Sequence, residues 1–63
     1  MPSLESLERE RDVCSRTTLS RSTLWAKVAD GTFPPPVRLG RNRVAWPTSV
    51  VSRWIADKIA EAT

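Results

Sequence analysis

The chain has 63 residues and a net charge of +3, which is enough for one domain with a single small core. It has no histidine and one cysteine, Cys14, so an internal disulfide, a Cys/His zinc site and a Ser-His-Asp triad are excluded. We therefore expect no enzyme, no cofactor, no metal site and no small-molecule substrate. The longest apolar run is too short for a membrane span, and the acidic start lacks the basic segment of a signal peptide. The expected location is the reducing cytoplasm.

The basic charge is concentrated in the middle of the chain. Residues 1–15 carry two basic and four acidic side chains, residues 16–43 carry six and one, and residues 44–63 carry two and two. A basic segment of this kind is typical of a surface that meets nucleic acid. Arginines that only keep a small domain in solution are the alternative.

The first elements expected are a short N-terminal segment and a helix. Residues 1–8 have little apolar character and are interpreted as a tail or an extra helical turn before a domain that covers residues 9–63. A first helix is predicted over residues 9–16, because acidic side chains near its start suit the helix dipole. Cys14 is expected to be a small buried apolar residue within it.

The second helix has clear start and stop signals. Thr17 and Thr18 form the turn before it, Ser20 is its predicted N-cap, and it ends at Asp30-Gly31, where glycine accepts a left-handed conformation. Helical spacing places Leu24 and Val28 on the inner face and Ser22, Ala26 and Ala29 on the outer face, flanked by Thr23, Lys27, Arg21 and Trp25. This outer face fits base edges between two phosphate backbones, with an ordinary solvated helix as the alternative.

A β-hairpin is predicted after three successive prolines. Pro34, Pro35 and Pro36 impose an extended strut, which is a structural elbow in one interpretation and a ligand for a proline-binding domain in another. In the hairpin, alternation places Val37, Leu39, Val44 and Trp46 on one face and Arg38, Arg43 and Ala45 on the other. The turn residues Gly40, Arg41 and Asn42 tolerate positive φ, and Arg41 is expected at the tip.

The last helix is predicted to begin near residues 47–49, with Thr48 or Ser49 as its cap. Its apolar residues form one stripe at helical spacing, namely Val51, Trp54, Ile55, Ile59 and Ala62. We interpret this stripe, with Trp46, as core, and a dimer seam is the alternative. The expected fold class is α+β, mainly α: a small winged helix-turn-helix with three helices and a two-stranded β-hairpin wing.

Five segments, in order and at characteristic spacing, resemble one family. They are residues 19–25, the Gly31-x-Phe33-Pro34 junction, Val37-x-Leu39-Gly40, Arg43-Val44-Ala45-Trp46 and Trp54-Ile55. Together they resemble the AlpA-like phage regulatory proteins, which belong with the excisionase and MerR-type winged helix-turn-helix domains. The resemblance covers about residues 9–59. Three positions depart from the family pattern: Thr18 replaces glycine, Trp25 replaces tyrosine and Val50 replaces an acidic residue.

The resemblance implies a DNA-binding protein of a prophage or integrated element that acts as a transcriptional regulator. An excisionase-type directionality factor that assists an integrase is one alternative. An alternative of another class is a small protein-interaction module or host-factor inhibitor. The expected partner is double-stranded DNA, which places the protein on the nucleoid when bound. Integrase or RNA polymerase, and cooperative self-association on repeated sites, are further expectations, because one small module buries little surface on DNA.

The resemblance also assigns candidate DNA-binding residues by position. The recognition helix contributes Ser20, Arg21, Ser22, Thr23 and Trp25, and the wing contributes Arg38, Arg41, Asn42 and Arg43. Helical spacing, and not the resemblance, adds Lys27 as a flanking cation. Arg21 and Arg43 are the strongest candidates, because a guanidinium group can serve a phosphate or a guanine edge. For Ser22 and Thr23, a capping role is the alternative.

Overall fold

Three helices and a small sheet make up residues 6–63, the part of the chain that our computed structural model describes. In chain order the elements are β1 (Leu7–Glu8), α1 (Glu10–Thr17), α2 (Arg21–Asp30), β2 (Val37–Gly40), β3 (Arg43–Pro47) and α3 (Thr48–Ala62). The strands form an antiparallel sheet in the order β1-β3-β2. The predicted α+β class with three helices and a hairpin is confirmed. Within this part of the chain, none of the helices combines the length and the apolar character that a membrane crossing requires.

The strand β1 is an addition to the predicted two-stranded wing. Leu7 pairs with Pro47 and Glu8 pairs with Trp46, which makes β3 the central strand of the sheet. Leu7–Glu8 is thus a strand, and not a tail or a helical turn. Residues 1–5, on which the same expectation falls, lie outside the described residues.

The start of α3 is tied to the residue that precedes β1. The backbone N–H of Thr48 donates to the Ser6 carbonyl at 2.7 Å, and the hydroxyl oxygens of Ser6 and Thr48 are 2.8 Å apart. The N-cap position is occupied by Pro47, whose side chain contains no hydrogen-bond acceptor. The prediction that Thr48 or Ser49 caps α3 is therefore wrong, because both residues are already inside the helix, and the Thr48 hydroxyl bonds to that of Ser6.

Helices α1 and α2 are joined by a tight turn and have well-defined ends. Thr18 closes α1 in the left-handed region with φ 61° and ψ 19°, a conformation that glycine adopts without strain. Ser20 caps α2 by accepting the Thr23 N–H at 3.2 Å, and Gly31 ends α2 with φ 87°. Both ends of α2 are as predicted.

The core lies where the three helices meet the sheet. Its fully buried members are Val13, Leu24, Phe33, Trp46 and Val51. The partly buried residues Cys14, Leu19, Val28, Val44, Trp54 and Ile55 pack against it. The prediction that the apolar stripe of α3 is core is wrong for its second half. Ile59 is 61% exposed, and every residue from 56 to 63 is exposed, because the end of α3 extends past the core.

The register of the hairpin places Val37 and Arg38 on the faces opposite to those predicted. Arg38 pairs with Val44 and therefore shares the face of Trp46. Val37 pairs with Ala45, and cross-strand partners share a face, so Val37 lies on the face opposite Trp46. Leu39 is 52% exposed, Val37 is also exposed, and Ala45 is buried. The expectation that Val37 and Leu39 face the core and Ala45 faces outward is therefore wrong. Alternation in the sequence does not reveal the register, and β2 is an edge strand with a pairing irregularity between Arg38 and Gly40.

The tip of the hairpin is tighter than predicted. Gly40 pairs with Arg43, which leaves Arg41 and Asn42 as the two turn residues. The positive φ falls on Asn42, at 60°, and not on Gly40. Asparagine tolerates this conformation better than most residues with a side chain, so the turn does not depend on a glycine at its apex.

Candidate nucleic-acid interface

The outer face of α2 presents the predicted small and polar residues. Arg21, Ser22 and Thr23 are exposed, as are Ala26 and Ala29 farther along the helix, whereas Lys27 is half-buried. Leu24 is fully buried and Val28 packs beside it. The predicted division of α2 into an inner and an outer face is confirmed.

The hydroxyls at the start of α2 have different surroundings. Ser20 donates to the Thr23 hydroxyl at 2.8 Å while its own oxygen accepts the Thr23 N–H at 3.2 Å. These two residues therefore form the cap of the helix. The Ser22 hydroxyl oxygen is 3.4 Å from that of Ser20, a long contact that leaves Ser22 the most available of the three for a ligand.

The wing presents cations without acidic partners. Arg38, Arg41 and Arg43 are exposed, as is Asn42, and no carboxylate in residues 6–63 pairs with any of the three arginines. Four other arginines do have carboxylate partners, namely Arg11, Arg16, Arg21 and Arg53. The positive charge of the wing is thus uncompensated by its neighbours.

Asp30 is the one acidic residue of the basic segment 16–43 and is engaged elsewhere. Its carboxylate accepts from the Thr32 hydroxyl at 2.6 Å and from the Thr32 N–H at 2.9 Å. These hydrogen bonds, first the one from the hydroxyl and then the one from the backbone, lower the pKa of Asp30. The carboxylate therefore stabilises the turn after α2 instead of pairing with the wing.

Trp25 connects α2 to the sheet and to α1. Its ring lies 5.5 Å from the buried ring of Trp46, and the Trp46 Nε1–H donates to the Pro34 carbonyl at 2.8 Å. The Trp25 Nε1–H donates to a carboxylate oxygen of Glu10, and the other Glu10 oxygen is 3.2 Å from Arg21 Nε. The indole N–H of Trp25, a candidate DNA-binding residue, is thus engaged by Glu10, and Trp25 is 36% exposed.

Two arginines of α1 and its N-cap extend the basic surface toward the wing. An open groove of about 660 Å³ lies between the start of α1 and the wing, and its polar lining consists of Arg9, Glu10, Arg11, Asn42 and Arg43. The sequence did not indicate Arg9 and Arg11, since they lie in an N-terminal segment with more acidic than basic residues. Only the packing of α1 against β3 reveals their position. Among the described residues, no group of histidine, cysteine and carboxylate side chains is arranged to hold a metal ion.

The arrangement of α1, turn, α2 and hairpin defines the class of the protein. Two short helices joined by a tight turn, followed by a strand pair with arginines at its tip, form a small winged helix-turn-helix. Residues 7–59 match the sequence profile described as Prophage CP4-57 regulatory protein (AlpA). The chain therefore belongs to the AlpA family of phage regulatory proteins.

A curated relative comes from a phage. The uncharacterized protein ORF88 of Enterobacteria phage P4 is 43% identical over 56 residues, which are 89% of this chain and 64% of that protein. The chain thus spans slightly less than two thirds of the length of this relative. No solved structure gives a significant match.

Proposed function

We propose that this chain is a sequence-specific DNA-binding protein of a prophage or integrated element and that it acts as a transcriptional regulator. In this proposal α2 lies in the major groove with its N-terminal turn against base edges, and the wing contacts the adjacent backbone. Membership in a family of prophage regulatory proteins supports the regulatory role.

The unpaired arginines of the wing are the observation that carries the proposal. Arg38, Arg41 and Arg43 have no carboxylate partner among residues 6–63, so contact with phosphates costs no existing ion pair. Contact with phosphates also releases condensed counterions from the duplex, which supplies sequence-independent affinity. These contacts fix the orientation of the protein, and the base contacts of α2 supply the sequence preference.

The start of α2 has the side chains that base recognition uses. Arg21 is suited to a guanine edge, and the exposed Ser22 hydroxyl can donate or accept. A module of this size buries only about 600–1,000 Å² on DNA, so we expect binding to repeated sites with help from a second copy or from a partner such as integrase or RNA polymerase.

The test is selection of bound duplexes from a random pool, followed by a footprint on the host element. We expect an enriched motif, and we expect Arg43→Glu to weaken binding to it by at least about tenfold through loss of a phosphate contact and added repulsion. Arg53→Glu is the matched control, because it makes the same charge change on the exposed face of α3 and outside the proposed interface.

The location of the sites separates the regulatory roles. Sites that overlap a promoter support transcriptional control, whereas repeated sites within an attachment region next to an integrase gene indicate excision instead. If the double variant Arg21→Glu with Arg43→Glu keeps its biological function, the protein acts through a protein partner and not through DNA.

A further inference from the structure

The side chain of Glu10 contacts two residues of α2 and belongs neither to the wing nor to the core. One carboxylate oxygen accepts the Trp25 Nε1–H, and the other is 3.2 Å from Arg21 Nε. Glu10, the first residue of α1, is thus in contact with Arg21, the first residue of α2. It is an acidic residue placed in contact with the leading candidate for base recognition.

Glu10 is held in place through a chain of contacts that ends in the core. The Trp25 ring packs 5.5 Å from the ring of Trp46, which is fully buried and is fixed by its hydrogen bond to the Pro34 carbonyl. The side chain of Glu10 is 24% exposed, whereas that of Arg21 is 80% exposed. The carboxylate is therefore the more buried partner, and it restrains a guanidinium group that is otherwise surrounded by solvent.

The atom of Arg21 that the Glu10 carboxylate contacts determines which Arg21 nitrogens remain available to bind DNA. The ion pair is closest at Nε, and neither terminal nitrogen of Arg21 donates a hydrogen bond within residues 6–63. The two terminal nitrogens are a pair that can contact O6 and N7 of guanine together. An unrestrained arginine can instead reach any nearby phosphate, which adds affinity without sequence preference.

We propose that Glu10 is a positioning residue that sets the sequence selectivity of the DNA contact made by Arg21. This inference rests on the proposed function. Glu10 keeps Arg21 from pairing with phosphates, since that pairing would require the ion pair to break and bring a phosphate close to a fixed negative charge. The carboxylate lowers the affinity for DNA in general and raises the preference for the correct site.

The test compares binding of the wild type and variants to two duplexes: the one selected by the wild type and a scrambled duplex of the same composition. Glu10→Gln keeps the size of the side chain and an acceptor for Trp25 but removes the charge. We expect it to bind the scrambled duplex more tightly and to lower the ratio of the two affinities by about tenfold, within the range that one bidentate base contact supplies. Thermal unfolding verifies that the variant is folded.

Asp12→Asn is the matched control, because it removes one negative charge from the same helix at an exposed ion pair with Arg11. We expect it to change both affinities together and to leave their ratio unaltered. A second control places Glu10→Gln in an Arg21→Ala background. There the ratio must not change further, because Glu10 acts only through Arg21.

The outcomes separate this inference from the proposed function. If the wild type enriches no duplex at all, the proposed function fails and the selectivity role fails with it. Two results overturn only the role of Glu10, provided that the wild type selects a motif. In the first, Glu10→Gln leaves the ratio of affinities unchanged. In the second, Glu10→Gln changes the ratio as much in the Arg21→Ala background as in the wild type. A measurement without DNA checks the ion pair itself: the NMR signal of Arg21 Nε–H should exchange with solvent more slowly in the wild type than in Glu10→Gln.

Discussion

Arg16 in the last turn of α1 pairs with Glu8 of β1 and also donates from Nη2 to the Ser52 hydroxyl of α3 at 2.8 Å. One side chain thus connects three elements of the fold. The Glu8 side chain is only 12% exposed, and its second oxygen is buried without a partner among the described residues. Arg16 is therefore a structural residue, whereas its sequence position alone suggests a solvated charge at a helix end.

Replacement of Arg16 by alanine is expected to destabilise the protein. It leaves the Glu8 carboxylate largely buried without its cation, which should cost about 1–3 kcal/mol in the free energy of unfolding. Chemical denaturation measures the change. Arg11→Ala is the control, since Arg11 and its partner Asp12 are both exposed, and its effect should stay below about 1 kcal/mol. Equal effects of the two variants would contradict a structural role for Arg16.

The left-handed turn at Thr18 predicts a stabilising substitution. A β-branched residue at φ 61° carries a strain of about 1–2 kcal/mol that glycine avoids. Thr18→Gly should therefore raise the free energy of unfolding by about 1 kcal/mol and the melting temperature by about 4–8 °C. Asn42→Gly is the comparison, because asparagine already tolerates φ 60° and should gain less. A lower melting temperature for Thr18→Gly would show that the threonine side chain stabilises the turn.

The sequence predicts α2 well, because the residues that start and end this helix act on neighbouring backbone groups. Both ends of α2 follow from Ser20 and Gly31, because a cap hydroxyl and a glycine act on adjacent backbone groups. The burial of Leu24 follows from helical spacing in the same way. Local chemistry and local structure agree throughout this helix.

The features that the sequence did not predict depend on contacts between distant segments. Leu7 and its partner Pro47 are 40 positions apart in the sequence, and a strand of two residues has no periodicity. The exposure of Leu39 depends on the register of a hairpin and on which side of the sheet is covered. The same limit applies to Glu10 at the candidate interface, since nothing in its neighbourhood along the sequence points to Arg21 or Trp25.

The thiol of Cys14 provides a prediction of pH dependence. Burial, and after it the nearby charge of Glu10, raise the pKa of Cys14 above its ordinary value of 9.0. The unfolded chain then releases the proton first, so the free energy of unfolding should fall as the pH rises past about 9. Comparison with Cys14→Ala across this pH range isolates the contribution of the thiol from that of other groups.

The rate at which Cys14 reacts with a disulfide reagent checks the same pKa directly. The folded protein should reach its half-maximal rate at a higher pH than the chain unfolded in urea. Glu10→Gln should lower the pKa of Cys14, because the charge of Glu10 raises it. An unchanged or higher pKa in Glu10→Gln would contradict the proximity of the two groups.

The salt dependence of DNA binding is expected to reflect the cations of α2 and the wing. If Lys27, Arg38, Arg41 and Arg43 neutralise phosphates while Arg21 contacts a base, the logarithm of the binding constant should fall with the logarithm of salt at a slope of roughly −3 to −4. Replacing Arg41 by glutamine should make the slope shallower by about 0.9. Titration of a labelled duplex at several salt concentrations gives the slope, and a flat response would exclude phosphate contacts as the source of affinity.

Ser20 and Ser22 are two residues apart and should separate stability from DNA binding. Ser20→Ala removes the oxygen that accepts the Thr23 N–H and should lower the free energy of unfolding by about 1 kcal/mol, in line with lost helix caps. Ser22→Ala removes a hydroxyl whose nearest contact is a long 3.4 Å, so stability should change by less than about 0.5 kcal/mol. If Ser22 contacts a base or a phosphate, the same variant should weaken binding to the selected duplex. A Ser22→Ala variant that loses stability but binds as tightly as the wild type would instead assign Ser22 to the cap.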